Sequence, residues 1–309
     1  MQTITQKPYK VGQNFISYKP EELPAMYMFL PVSVYAIEHL TTETLWGSLP
    51  SSFNDPFDSL GTINENVLKE CLLKQYETYP FVFDPQKNIE QSIKEMISTT
   101  RAHFEKLRDN YFVSCFTPKI QSEIMWAHYA RNATGFALQY SAIDIIASAQ
   151  EYFQRYKESR LKNDAMFSPV LYYDEPVDIT ETAIDLAEGL LQFVLDVNIG
   201  KKSSYFLKDE LLPFSSMLLH KNECWKYEEE YRLCVQNFPL FLNGENKRYI
   251  EIGHCKPTAI YLGANIENSY EQILMRIAKE KSIPVYKMKA KIIEGKYCLV
   301  GEKIPSKKP

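Results

Sequence analysis

The residues best suited to chemistry are gathered in Lys221-Asn-Glu-Cys-Trp-Lys-Tyr-Glu-Glu-Glu-Tyr-Arg-Leu-Cys-Val235. Read as a strand over 228–236, a period of two puts Glu228, Glu230 and Arg232 on one face, and Tyr227, Glu229, Tyr231, Leu233 and Val235 on the other. The second face is mostly apolar and can cover a core. The first carries two carboxylates and a guanidinium in a row. Such a row is either a solvated strand face with a cross-paired arginine or the wall of a cleft. In a cleft, one carboxylate is tuned by its neighbour and Arg232 fixes the geometry.

Two further segments could contribute to a site. In Val113-Ser-Cys-Phe-Thr117 and Met125-Trp-Ala-His-Tyr-Ala130, helical spacing groups Met125, His128 and Tyr129, with Trp126 and Ala130 on an adjoining stripe. His128 can titrate near neutral pH, whereas Trp126 suits a buried aromatic helix packed on a sheet. Phe53-Asn-Asp-Pro-Phe-Asp58 reads as a rigid turn in which Asn54 or Asp55 bonds the backbone. The three tryptophans, Trp46, Trp126 and Trp225, each lie in or just before one of these segments. Large aromatics line binding clefts as well as cores.

The elements that must position these residues alternate irregularly. Strands are expected at 25–30, 45–49, 111–116, 135–140, 167–173, 228–236, 248–252, 258–262, 284–289 and 296–300. Helical patterns cover 34–40, 64–110, 122–132, a stretch after Ser141, 178–221 and 269–281. Without a regular βαβ rhythm, the fold class is α+β: a mixed, mainly antiparallel sheet core with helices around it. The 309 residues read as one domain, 1–309. Its motif-bearing core runs over about 26–263, and 264–309 adds a helix, strands and a basic tail.

Composition narrows the function. A net charge of −4 gives no electrostatic footprint of a general nucleic-acid binder. The start MQTITQKPYK lacks the apolar core of a signal peptide, and no window of about 18 apolar residues exists. The expectation is therefore a cytoplasmic protein with no membrane span. The six cysteines form no CxxC pair, and the five histidines show no ligand spacing, so no metal is expected. A P-loop and a dinucleotide glycine fingerprint are both missing.

Taken together, Phe53-Asn-Asp-Pro-Phe-Asp58, Ser114-Cys-Phe-Thr117, Met125-Trp-Ala-His-Tyr-Ala130 with Gly135-Phe, Trp225-x-x-Glu-x-Glu-x-Arg232 and Ile260-Tyr-Leu-Gly263 resemble a bacterial family of unknown function, whose members occur in mobile or defence-related settings. That family is in turn distantly similar to ADP-ribosyltransferases. The resemblance implies a split-sheet fold and an NAD-using transferase or glycohydrolase, a stress or phage-defence effector. It implies a catalytic Glu230 with Glu228 as partner and Arg232 as geometric anchor. Tyr27, Ser114, Thr117, Trp126, His128 and Tyr129 would line the NAD site, with a protein or nucleic-acid acceptor beyond it. Met28 and Leu30 stand where relatives tend to carry Lys and Arg on the first strand. That departure favours the alternative, a non-catalytic module sensing a nucleotide or a protein partner through the same cleft.

Overall fold

Short β-branched and aromatic runs bounded by turn residues become the strands of the computed structural model, which describes residues 9–11, 15–17, 20–79, 86–109, 111–155, 165–198, 200–201, 217–236 and 249–305. Ten strands build two five-stranded sheets. In chain order they are β1 (Met26–Leu30), β2 (Thr44–Ser48), β3 (Tyr111–Phe116), β4 (Phe136–Tyr140) and β5 (Ala165–Pro169), followed by β6 (Tyr231–Gln236), β7 (Tyr249–His254), β8 (Ala259–Leu262), β9 (Val285–Ile293) and β10 (Lys296–Lys303). The first sheet runs β7-β2-β3-β6-β5 and is antiparallel throughout. The second runs β10-β9-β8-β4-β1, with one parallel pair, β8 and β9. The mixed, mainly antiparallel α+β architecture is the one expected.

Among the described residues the helices are α1 (Val34–Thr42), α2 (Glu65–Thr78), α3 (Ile89–Arg108), α4 (Glu123–His128), α5 (Ala142–Arg155), α6 (Thr180–Asn198) and α7 (Asn268–Lys281). The largest core joins the inner faces of both sheets to α1, α5 and α7 through Leu40, Phe112, Phe136, Ile145, Leu233, Ile252, Ile260 and Leu274. A second core, with Leu68, Leu72, Ile93, Phe104 and Leu186, packs α2, α3 and α6 together.

Several element boundaries depart from the sequence pattern. The expected helix over 64–110 is two helices, α2 and α3. The strand over 167–173 is broken into β5 and Leu171–Tyr173, and the latter pairs in parallel with His220–Asn222. Within 178–221 the described residues give α6 and then that short strand, while 202–216 lie outside the described residues. The helix over 122–132 ends at His128, because Arg131, Asn132 and Ala133 adopt left-handed backbone. Ser122 caps that helix by accepting from Met125 N at 3.3 Å. The left-handed turn lets the chain re-enter the sheet at Gly135, where a Cβ would come within 2.2 Å of Leu30 O.

A pair of backbone hydrogen bonds links the two sheets. Tyr27 N donates to Thr117 O at 2.8 Å and Thr117 N returns a bond to Tyr27 O at 3.0 Å, tying β1 of the second sheet to the chain just beyond β3 of the first. The candidate site opens beside that bridge, with Tyr27 and Thr117 both in its lining.

Candidate functional site

The approach to β6 differs from a simple strand. Glu223–Glu228 is a 3-10 turn, and β6 begins only at Tyr231. Between them Glu229 is left-handed, with φ of 44°. This kink, and not a period-two strand face, sends Glu228 and Glu230 inward together. Glu229 points out and pairs with Lys119 at 2.8 Å, both side chains about half exposed. The solvated-face alternative does not hold: Glu228 is 2%, Glu230 5% and Arg232 0% exposed.

Burying three such charges requires partners, and the chain supplies two that the sequence pattern did not single out. Asp58, at the end of the Phe53–Asp58 turn, takes Arg232 Nη1 at 2.8 Å and Nη2 at 2.7 Å in a forked pair. Arg232 also donates from Nε to Glu230 Oε1 at 2.8 Å, from Nη2 to Glu230 Oε2 at 3.2 Å, and from Nη1 to Leu218 O at 2.6 Å. Lys221 Nζ bridges Glu228 at 2.6 Å and Glu230 at 3.0 Å, with Asp58 at 3.6 Å. The Glu230 backbone is pinned too: its N–H donates to Tyr172 OH at 2.8 Å and its carbonyl accepts from Val170 N at 2.8 Å.

The two carboxylates are driven apart. Burial alone would raise the Glu230 carboxyl, but the Arg232 guanidinium and the Lys221 ammonium outweigh it and hold Glu230 well below the usual range. For Glu228 burial wins: even beside Lys221, and helped by the Glu230 charge, its pKa is raised. Glu228 accepts a hydrogen bond from the Tyr129 hydroxyl. Burial and the Glu228 charge raise the Tyr129 phenol, so the proton stays on the tyrosine. Neighbouring carboxyls separated in this way are the usual arrangement for assigning acid–base roles.

These groups floor a cavity of about 420 Å³ at the junction of the sheets. That volume falls within the range of small-molecule sites, roughly 300–1,000 Å³. Its walls are Tyr27 and Phe29 from β1, Phe53 and Asn54 from the turn, Cys115 and Thr117 beside the bridge, and His128 and Tyr129 from α4. Of the residues anticipated from sequence, Tyr27, Thr117, His128, Tyr129, Glu228, Glu230 and Arg232 therefore come together. Thr117 Oγ1 donates to Glu228 O at 2.6 Å, and His128 Nδ1 lies 3.0 Å from Tyr227 OH.

Two anticipated residues are not brought to the cavity. Ser114 pairs with Leu233 across β3 and β6, on the opposite face to Cys115 and against the largest core. Trp126 is 1% exposed, gives its indole N–H to Ile120 O at 2.7 Å and packs edge-on against Phe29. Parity also changes the meaning of Met28 and Leu30. They face the largest core while Tyr27 and Phe29 face the cavity, so cations at 28 and 30 would not have lined this cleft. In the turn, it is Asp55 that bonds backbone, accepting from Phe57 N at 2.9 Å, whereas exposed Asn54 donates to Tyr129 OH at 3.4 Å. Asp58 and Lys221 are the residues the sequence reading missed. Both stand inside segments already singled out.

Among the described residues no group of three His, Cys, Asp or Glu side chains could hold a metal ion, and no helix is long and apolar enough to cross a membrane. Residues 125–233 match a family described as a protein of unknown function, DUF2971. The matched stretch, about a third of the chain, carries His128, Tyr129, Lys221, Glu228, Glu230 and Arg232. No curated protein and no solved structure matches the chain.

Proposed function

We propose that the cavity binds a nucleotide-type N-glycoside, with NAD as first candidate, and cleaves or transfers it at the glycosidic bond. The observation that carries this reading is the pair of buried carboxylates with opposed pKa shifts at the floor of an aromatic cleft. Breaking the nicotinamide–ribose bond sends the bonding electron pair to the base and leaves an oxocarbenium ion on the sugar, which a fixed carboxylate stabilises. Water or an acceptor nucleophile then bonds to that carbon, and the proton it sheds passes to a carboxylate and on to solvent.

Glu228 is the better candidate for the group that meets the reacting centre. Its carboxylate shares Lys221 with Glu230 and touches the cavity-lining Tyr129. Glu230 is saturated by Arg232 and Lys221 and acts as a positioning residue, as does Arg232. Consumption of NAD would suit the stress or defence setting that the motif resemblance implies.

The test is incubation of pure protein with NAD, following nicotinamide release. Glu228→Gln keeps the shape and removes the charge, and should lower the rate about a hundredfold or more with far-UV circular dichroism unchanged. A folded wild-type protein that neither releases nicotinamide nor labels an acceptor would sink the enzymatic reading. A second reading, a sensing module, is favoured by one observation: both cations of the floor are already fully engaged with protein carboxylates. A rigid, closed network of that kind also suits recognition without turnover. Tight NAD binding with no turnover would select it.

A further inference from the structure

Resting on the reading of this cavity as an N-glycoside site, we propose that it recognises the cationic base–ribose end of its ligand and needs no phosphate. Phosphate-free ribosides of cationic heteroaromatic bases would then be ligands in their own right. The argument is a charge count at the floor. Asp58, Glu228 and Glu230 are three carboxylates, and Lys221 and Arg232 are two cations, so one carboxylate is unmatched. Geometry identifies it as Glu228. Arg232 forks onto Asp58 and Glu230, and Glu228 has only a share of Lys221 and the Tyr129 hydroxyl.

A phosphate entering here would meet no free cation. Among the described residues lining the cavity, Lys221 and Arg232 are the only Lys or Arg side chains. The Arg232 donors are committed to Asp58, Glu230, Ser59 and Leu218 O, and Lys221 lies over the Trp225 ring, 5.0 Å from its centroid, with its ammonium on the carboxylates. His128, the remaining basic side chain of the lining, has Nδ1 on Tyr227 OH. A flat cation fits better. The Phe53 ring is already faced by Arg232, 5.2 Å from its centroid, but Tyr27, Phe29 and Tyr129 also line the cavity, where aromatic rings attract a desolvated cation, and the unmatched carboxylate lies beneath. Phosphates of a longer ligand would stay outside the cavity.

Titration calorimetry on the full chain at pH 7 tests this with three probes: nicotinamide riboside, its reduced and uncharged dihydro form, and NAD. The riboside should bind within about threefold of NAD, and the uncharged form about tenfold or more weaker than the riboside. Glu228→Gln should weaken riboside binding by about tenfold without changing circular dichroism. Equal binding of the charged and uncharged ribosides would overturn the inference. So would NAD binding with no measurable riboside binding, an outcome that leaves NAD cleavage standing and points to a phosphate subsite elsewhere. A riboside that binds and is never cleaved, beside NAD that is never cleaved, would overturn the enzymatic reading and keep the ligand class.

Discussion

The cavity floor and the β9–β10 hairpin use the same ion-pair chemistry and differ in almost everything that follows from it. Lys221 lies 2.6 Å from Glu228 with both side chains under 5% exposed. Lys289 and Lys291 lie 2.6 and 2.5 Å from Glu302, with side chains 37–55% exposed. Distance therefore does not distinguish the two. Water does, because in the hairpin solvent screens each charge and replaces any partner that is lost. At the floor a deleted partner leaves a stranded charge, so five side chains hold one another in place across segments far apart in sequence. That mutual dependence gives Glu228 and Glu230 distinct protonation behaviour from the same residue type.

The strongest way to break the comparison is at Arg232. Arg232→Met keeps much of the volume and strands Asp58 and Glu230 in the interior. It should destabilise the protein by about 3–5 kcal/mol, the usual consequence of removing one partner of a buried pair. Urea unfolding measures it. A loss under about 1 kcal/mol would mean that the floor behaves like the hairpin surface.

A buried polar pair without charge gives an intermediate case. His39 in α1 is 4% exposed and its Nε2 lies 2.8 Å from Tyr140 OH, inside the largest core. Burial lowers its pKa to about 4. The sign follows directly. Above pH ~6.5 the ring is neutral in both folded and unfolded chains, and nothing is lost. As pH falls from about 6.5 towards 4, the unfolded chain takes up a proton that the folded chain refuses, and stability drops by about 3 kcal/mol in total. His39→Gln should flatten that part of the pH dependence, read as the difference between wild type and variant unfolding at pH 7 and pH 4.5. Parallel curves would show that His39 titrates freely.

How far the sequence revealed these regions depends on the range of the interactions. The strands at 26–30, 111–116 and 259–262 were legible because apolar and β-branched runs between turn residues specify them locally. Glu228, Glu230 and Arg232 were legible as a group from spacing, although the geometry that groups them is a left-handed Glu229 and not a continuous strand. Asp58 was seen only as part of a turn, because its role depends on Arg232, 174 residues away. Ser114 and Trp126 were misplaced for a related reason. One residue of strand parity, or one face of a short helix, separates cavity from core, and neighbours distant in sequence choose between them.

The hairpin itself provides the smallest predicted effect and the sharpest control. Hydrogen bonds from Lys289 and Lys291 lower the Glu302 carboxyl to about 2, a shift in the same direction as that of Glu230 at the floor. Read without regard to exposure, that shift would suggest a stabilising cluster. The pairs are solvent-accessible, however, and the lysines are held by flexible stems whose ordering offsets the attraction. Glu302 also pairs in register with Lys287, and eight cross-strand positions from Tyr286 to Ile293 hold the hairpin without any help from its charges. Glu302→Gln should therefore leave the melting temperature within about 1 °C of wild type at low salt, and the residual difference should vanish in about 0.5 M salt. A shift of several degrees that survives high salt would show that the hairpin charges are coupled to the core through β9. The contrast between a charge network enforced by burial and one merely present on the surface would then fail at its weaker end.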